Sequence, residues 1–236
     1  MRVLSRSRSS LVLLAAFTAL VLPGALLAAE AASVVQTKES QAAMTPAKAL
    51  DALKAGNKRF LSGKSVQTDL PAKVKASKDG QYPFAVVLSC MDSRVPAEAV
   101  FDQSIGDLFS IRVAGNVVNA DNLGSMEYAV KVVGVKLIVV LGHTACGAVK
   151  GAIDNVKLGN LTELVAKIQP AVAASGPGTT KDHAYVDKVG ERNVRQEIKE
   201  IREKSPVLKE AIDSGAVGLV GGMYDLETGT VTFFAD

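Results

Sequence analysis

Residues 84–98, FAVVLSCMDSRVPAE, begin as an unbroken apolar run and end in a cysteine followed by an aspartate and an arginine. Val and Leu without polar alternation mark a strand covered on both faces, as strands of a parallel sheet are. Residues 137–149, LIVVLGHTACGAV, repeat the arrangement: an apolar strand, then His143 and, three residues on, Cys146. Parallel sheets present their functional loops at the carboxyl ends of the strands, so these two endings read as two halves of one site.

Working outward, a helix is expected over residues 45–61. Pro46 suits its first turn, Leu50, Leu53, Asn57, Phe60 and Leu61 recur at helical spacing, and Ser62-Gly63 stops it. Residues 64–80 read as a polar surface connection. A second strand is expected at 108–113, a helix at 122–133, and a third buried strand at 137–141. Helices follow at 145–154 and 161–172, then a flexible Gly/Pro turn at 173–180, a long charged helix at 182–204 and another at 206–213. The final segment reads as strand, turn and strand. Alternating strands and helices predict an α/β fold: a mainly parallel central sheet flanked by helices, with an antiparallel edge hairpin.

The N-terminus differs from the rest. Arg2, Arg6 and Arg8 precede a 12-residue apolar run at 11–22, then Pro23-Gly24 and a series of small residues. That order is the three-part pattern of a secretory signal peptide, with cleavage expected after Ala31. The run gives about 18 Å of helix, too short for a hydrocarbon core of ~30 Å, so no stable membrane anchor is expected. Export to the periplasm follows. Residues 32–44 read as a flexible arm, and residues 45–236 as a single α/β domain. Removing residues 1–31 deletes three Arg and one Glu and leaves 24 basic against 23 acidic residues. A near-neutral chain without Trp offers neither a basic stripe nor large stacking platforms, which argues against nucleic-acid partners.

Two thiolates and an imidazole make a good zinc set, because the ion is borderline-soft and binds S and N tetrahedrally. Three protein ligands leave the fourth position open, as a catalytic zinc requires. The residues alone leave other readings standing. Two cysteines in an exported chain are compatible with a disulfide or with unrelated core thiols. A structural zinc would recruit Asp92 as its fourth ligand, and Asp92 with Arg94 could be a mere surface ion pair. His183, the other histidine, reads as a solvated residue at a helix start.

With these residues in hand, the chain resembles the β-class carbonic anhydrases, over residues 47–234. The anchors are CMDSR (90–94) and HTACGAV (143–149). GDLFSIRVAGN (106–116), GSMEYAV (124–130), ERNV (191–194) and VGGMYDLETGTV (220–231) support them. The resemblance implies one zinc ion per chain on Cys90, His143 and Cys146, and reversible hydration of carbon dioxide to bicarbonate by zinc-bound hydroxide. Asp92 and Arg94 match a catalytic dyad in which the arginine pairs with the aspartate, which orients the hydroxide. In a closed state Asp92 becomes the fourth metal ligand. Gln81, Phe109, Tyr128 and the Gly147 backbone match substrate-binding positions. A homodimer or dimer of dimers is implied, with pocket walls, Tyr128 among them, contributed across the interface. Val87 stands where members with a bicarbonate-inhibited state carry tryptophan, which puts that regulation in doubt. Met91 replaces a more familiar serine and is expected only to pack. The rivals are a carbon disulfide or carbonyl sulfide hydrolase on the same site, and a non-catalytic zinc-binding protein on this scaffold.

Overall fold

A computed structural model describes residues 35–234; the expected signal peptide lies outside them. Among the described residues, five strands form one sheet in the order β2-β1-β3-β4-β5. They are β1 (Ala85–Ser89), β2 (Leu108–Arg112), β3 (Leu137–His143), β4 (Gly218–Tyr224) and β5 (Val231–Phe234). β2, β1, β3 and β4 run parallel, and β5 pairs antiparallel with β4. The helices, in chain order, are α1 (Lys38–Ala42), α2 (Pro46–Leu61), α3 (Leu70–Ser77), α4 (Ala97–Val100), α5 (Ala120–Glu127), α6 (Gly147–Ile153), α7 (Leu161–Ala166), α8 (Gln169–Ser175), α9 (His183–Lys204) and α10 (Pro206–Asp213). None among the described residues is long and apolar enough to cross a membrane.

The two central strands are buried along their whole length, as their uninterrupted apolar runs predict. Their alternating side chains build two cores. Ala85, Val87, Leu137, Val139 and Leu141 pack with Ala49 and Leu53 of α2. Val86, Leu88, Ile138 and Val140 pack on the other face with Met126 of α5 and Val194, Ile198 and Ile201 of α9. A third cluster, containing both cysteines, joins α6, α7 and α8 to Tyr185, Val186 and Val189 of α9. The layers are therefore helix, sheet, helix, and the third cluster sits at the carboxyl edge.

Several sequence expectations need correction. The connection at 64–80 contains α3, N-capped by Asp69, because Lys73 turns inward and pairs with buried Asp107 at 3.1 Å. The arm at 32–44 contains α1, closed by a Thr37–Ser40 capping box; Gln41 is buried and donates to Pro83 O at 2.7 Å. The helix expected at 161–172 is two, because Pro170 suits the first turn of a new helix and not the interior of one. The second continues to Ser175, so the turn at 173–180 is shorter than expected. The helix expected at 122–133 starts at Ala120 and ends in a π turn, Tyr128–Val133. Met91 does not pack: it is 63% exposed.

α9 lies close against β3 where Gly142 precedes His143. A Cβ at Gly142 would fall 2.6 Å from Val194 Cγ2 and 2.7 Å from Met223 Sδ. Gly142→Ala is expected to lower stability by about 1–3 kcal/mol, the usual effect of overpacking, read as a fall in Tm. An unchanged Tm would mean that α9 is free to yield here.

Candidate metal centre

Cys90 follows β1 directly and His143 ends the neighbouring strand β3, so the strand register delivers both to one edge of the sheet. Cys146 is the N-cap residue of α6. The turn between His143 and Cys146 requires Ala145 in the left-handed region, φ 54. Its amide donates to Asp187 Oδ1 of α9 at 2.8 Å, which holds the turn. The ligating atoms of Cys90, His143 and Cys146 all lie within 4.8 Å of one another, and the three side chains are buried. The cysteines are free thiols with sulfurs 4.0 Å apart, not a disulfide.

The donor set fits a metal ion. His143 Nδ1 lies 2.9 Å from Thr144 O, which assigns the proton to Nδ1 and leaves Nε2 as the lone-pair nitrogen. That Nε2 is buried without a hydrogen-bond partner among the described residues, a costly state unless something accepts its lone pair. The Cys90 thiol is held well below its ordinary range, first by the hydrogen bond from Cys146, with the Gly115 amide adding and burial opposing. Cys146 is pushed up, by donating to Cys90 and then by burial. The pocket thus favours one thiolate by itself, and a second only where a cation compensates.

Beside this cluster, Arg94 grips Asp92 with two side-chain bonds, Nε to Oδ1 at 2.9 Å and Nη2 to Oδ2 at 2.8 Å, and its backbone amide adds a third at 3.0 Å. These bonds, the side-chain ones first, hold the Asp92 carboxyl well below the usual carboxylate range. Asp92 Oδ2 stands 3.9 Å from His143 Nε2. The metal-ligand cluster does not include Asp92.

Sequence reasoning did not single out Arg112. It donates to Asp92 O at 2.6 Å and Cys90 O at 3.3 Å, fixing the loop that carries the aspartate. Its place at the end of β2, level with Ser89, was the available signal. Asp187, Asn193 and Glu197 of α9 were also missed. His183 is exposed at the start of α9, as expected.

The four expected substrate positions divide. Gly147 adjoins Cys146 and opens α6. Phe109 and Tyr128, their ring centroids 6.4 Å apart, line a separate cavity of about 620 Å³ beside edge strand β2. Phe109 pairs with Val86, four residues before Cys90, or about 13 Å along the strand. Gln81 is exposed ahead of β1, beside Lys78 and Gly106. One chain does not bring Gln81, Phe109 or Tyr128 to its own cluster.

A buried Cys-His-Cys set at the carboxyl edge of a mostly parallel, helix-flanked sheet defines the class: an α/β enzyme built around a site that could hold a metal. The comparisons narrow this. The family model described as carbonic anhydrase matches residues 85–231. "Carbonic anhydrase 2" of Mycobacterium tuberculosis is 39% identical over 193 residues, 78% of this chain and 90% of that one. The carbonic anhydrase of Mycolicibacterium smegmatis is 37% identical over 192 residues, 79% and 92% of the two chains. Among solved structures, the β-carbonic anhydrase CafA of Aspergillus fumigatus superposes with a TM-score of 0.64 at 27% identity, covering 79% of this chain and 92% of that one. A tetrameric β-carbonic anhydrase of Sordaria macrospora gives 0.63 at 25% identity, covering 77% and 94%. The chain belongs to the carbonic anhydrase family, and within it to the β class.

Proposed function

We propose that the chain is a zinc enzyme interconverting carbon dioxide and bicarbonate, with Cys90, His143 and Cys146 as its metal ligands. One observation carries this reading. Two sulfurs and an unpartnered imidazole nitrogen converge in a buried pocket, with a carboxylate oxygen 3.9 Å from that nitrogen. Zinc held there supplies the Lewis acidity that brings a coordinated water's pKa towards about 7.

The chain's own residues do the orienting. Because Arg94 keeps Asp92 ionised, its carboxylate acts only as an acceptor, and it fixes the direction of an O–H presented at the open side of the cluster. Arg112 holds the backbone carrying that carboxylate. Arg94 also keeps both Asp92 oxygens occupied; releasing them frees Asp92 to enter the ligand set, the closed state. Arg94→Ala is therefore expected to lower the hydration rate by roughly 10- to 100-fold at unchanged zinc content, the usual effect of losing a group that orients a metal site. Stopped-flow hydration with zinc-loaded protein tests both points. A zinc-replete wild type no faster than buffer would sink the enzyme reading, and an unaltered Arg94→Ala rate would remove the orienting role.

We propose further that Gln81, Phe109 and Tyr128 serve the site of a neighbouring chain in a homodimer or dimer of dimers. Their distance from the chain's own cluster supports this, as does the half-exposed Tyr128 beside edge strand β2. Light scattering is expected to give a dimer or larger; a catalytically competent monomer overturns it. The segment at 1–31 supports export, with a mature N-terminus at Ala32 in a periplasmic fraction as the expected result.

A further inference from the structure

α9 runs past the metal cluster and reaches both of the segments that shape it. Asp187 holds the turn before Cys146. Further along, Asn193 Nδ2 donates to Gly115 O at 2.9 Å, and one helical turn later Glu197 Oε2 accepts the Val118 amide at 2.6 Å. Both side chains are 1% exposed, on a helix whose Glu191, Arg195 and Lys199 face solvent. A carboxyl placed in such a seam needs a reason, because burying it is costly unless it is bonded and neutral.

The segment these two residues hold is the one whose Gly115 amide points at Cys90 Sγ, 3.4 Å away. Gly115 takes φ +69, and a Cβ there would meet Ile168 Cδ1 at 2.7 Å. The loop therefore follows a close path that only glycine permits, and α9 pins it on either side of Asn116. Asn122 Nδ2 and Lys167 Nζ add bonds to the Val117 and Val118 carbonyls.

We propose that Asn193 and Glu197 form a positioning clamp that keeps the Gly115 amide on Cys90 Sγ and so limits how much charge this thiolate gives the metal. The inference rests on the zinc reading above. An N–H donated to a thiolate draws electron density from the sulfur, leaving the metal a stronger Lewis acid. With two thiolates in the set, restraining one matters more than it would among imidazoles. Glu197 Oε1 and Asn193 Oδ1 are both buried without a hydrogen-bond partner among the described residues and belong to residues four apart on one face. A proton on Glu197 gives that pair of acceptors its donor. Burial, above all, pushes the Glu197 carboxyl up to about 8, with Glu200 raising it and the Val118 amide, Lys204 and Lys167 opposing, so the proton is retained at neutral pH.

The test uses the full mature chain, zinc-loaded and cobalt(II)-substituted, in the variants Glu197→Met, Asn193→Ser and Glu197→Gln. In the Met and Ser variants, at one metal per chain, the sulfur-to-cobalt charge-transfer band is expected to move to lower energy. The midpoint of the hydration pH profile is expected to rise by roughly half a unit. Glu197→Gln, neutral and able to accept from Val118, is expected to restore both. Band and midpoint at wild-type positions in folded, metal-replete Met and Ser variants overturn the clamp, as does a Gln variant that behaves like Met. If neither the Met nor the Ser variant folds, the pair is scaffold alone and the proposal fails. Wild-type metal content is the separate check: a chain that takes up neither ion overturns the zinc reading, whereas absent shifts at full occupancy overturn the clamp only.

Discussion

Replacing Cys146 with serine is expected to leave a folded chain that binds zinc about 10²- to 10³-fold more weakly and hydrates carbon dioxide no faster than buffer. Structural zinc sites with four ligands are worth about 10–16 kcal/mol, so one ligand carries roughly 3–4 kcal/mol. A serine hydroxyl does not ionise near neutral pH and is a poor match for a borderline-soft ion. The fold should survive for a local reason. Cys146 is the N-cap of α6 and makes no side-chain capping bond; serine is among the best residues for that position. It also removes the second buried thiol that Cys90 drives up. Chelator competition gives the zinc affinity, circular dichroism the fold and stopped-flow the rate. A Cys146→Ser protein holding one zinc per chain and hydrating at the wild-type rate would mean that this sulfur is not a ligand.

The central strands and the clustering of Cys90, His143 and Cys146 were legible because each announces itself locally. β1 and β3 are unbroken β-branched and leucine runs, a pattern few other elements produce. Cys90, His143 and Cys146 stand at the strand ends, where parallel sheets place chemistry. What was not legible depends on partners far away in sequence. Lys73, in a lysine-rich stretch, looks solvated until Asp107 is seen beside it, 34 residues on. Nothing local sets Asn193 and Glu197 apart in a long charged helix, yet both fall on the stripe traced by Val189, Gly190, Val194, Ile198 and Ile201, all buried. That interruption of an apolar stripe by two polar residues was the available signal, and a net-charge reading of the helix conceals it. Gln81, Phe109 and Tyr128 do not converge on the cluster: Phe109 and Tyr128 line a separate cavity beside β2, and Gln81 is exposed ahead of β1.

Glu197→Gln is expected to make the protein more stable than wild type above about pH 5, with the difference growing until about pH 8 and constant beyond it. The Glu197 carboxyl has an ordinary value of 4.5 and is raised to about 8 in the fold, chiefly by burial. Between those values the unfolded chain carries the carboxylate while the folded chain holds a proton. The folded state therefore binds more protons, and stability falls as pH rises through this window. Below pH 4.5 both states are protonated and the loss vanishes; above 8 both are ionised and it stops growing. At 1.36 kcal/mol per unit, the wild type loses on the order of 5 kcal/mol across the window. Glutamine does not titrate, keeps an oxygen for the Val118 amide, and has N–H groups to offer Asn193 Oδ1, left without a partner. Denaturant unfolding of both proteins at pH 5, 6.5, 8 and 9 reads the difference directly. Parallel stability curves would show that Glu197 is ionised in the fold at neutral pH, and the clamp would then have to work through a buried charge. A gap that opens with pH, at unchanged hydration rate, would mean that this carboxyl is retained at a cost in stability that glutamine would avoid.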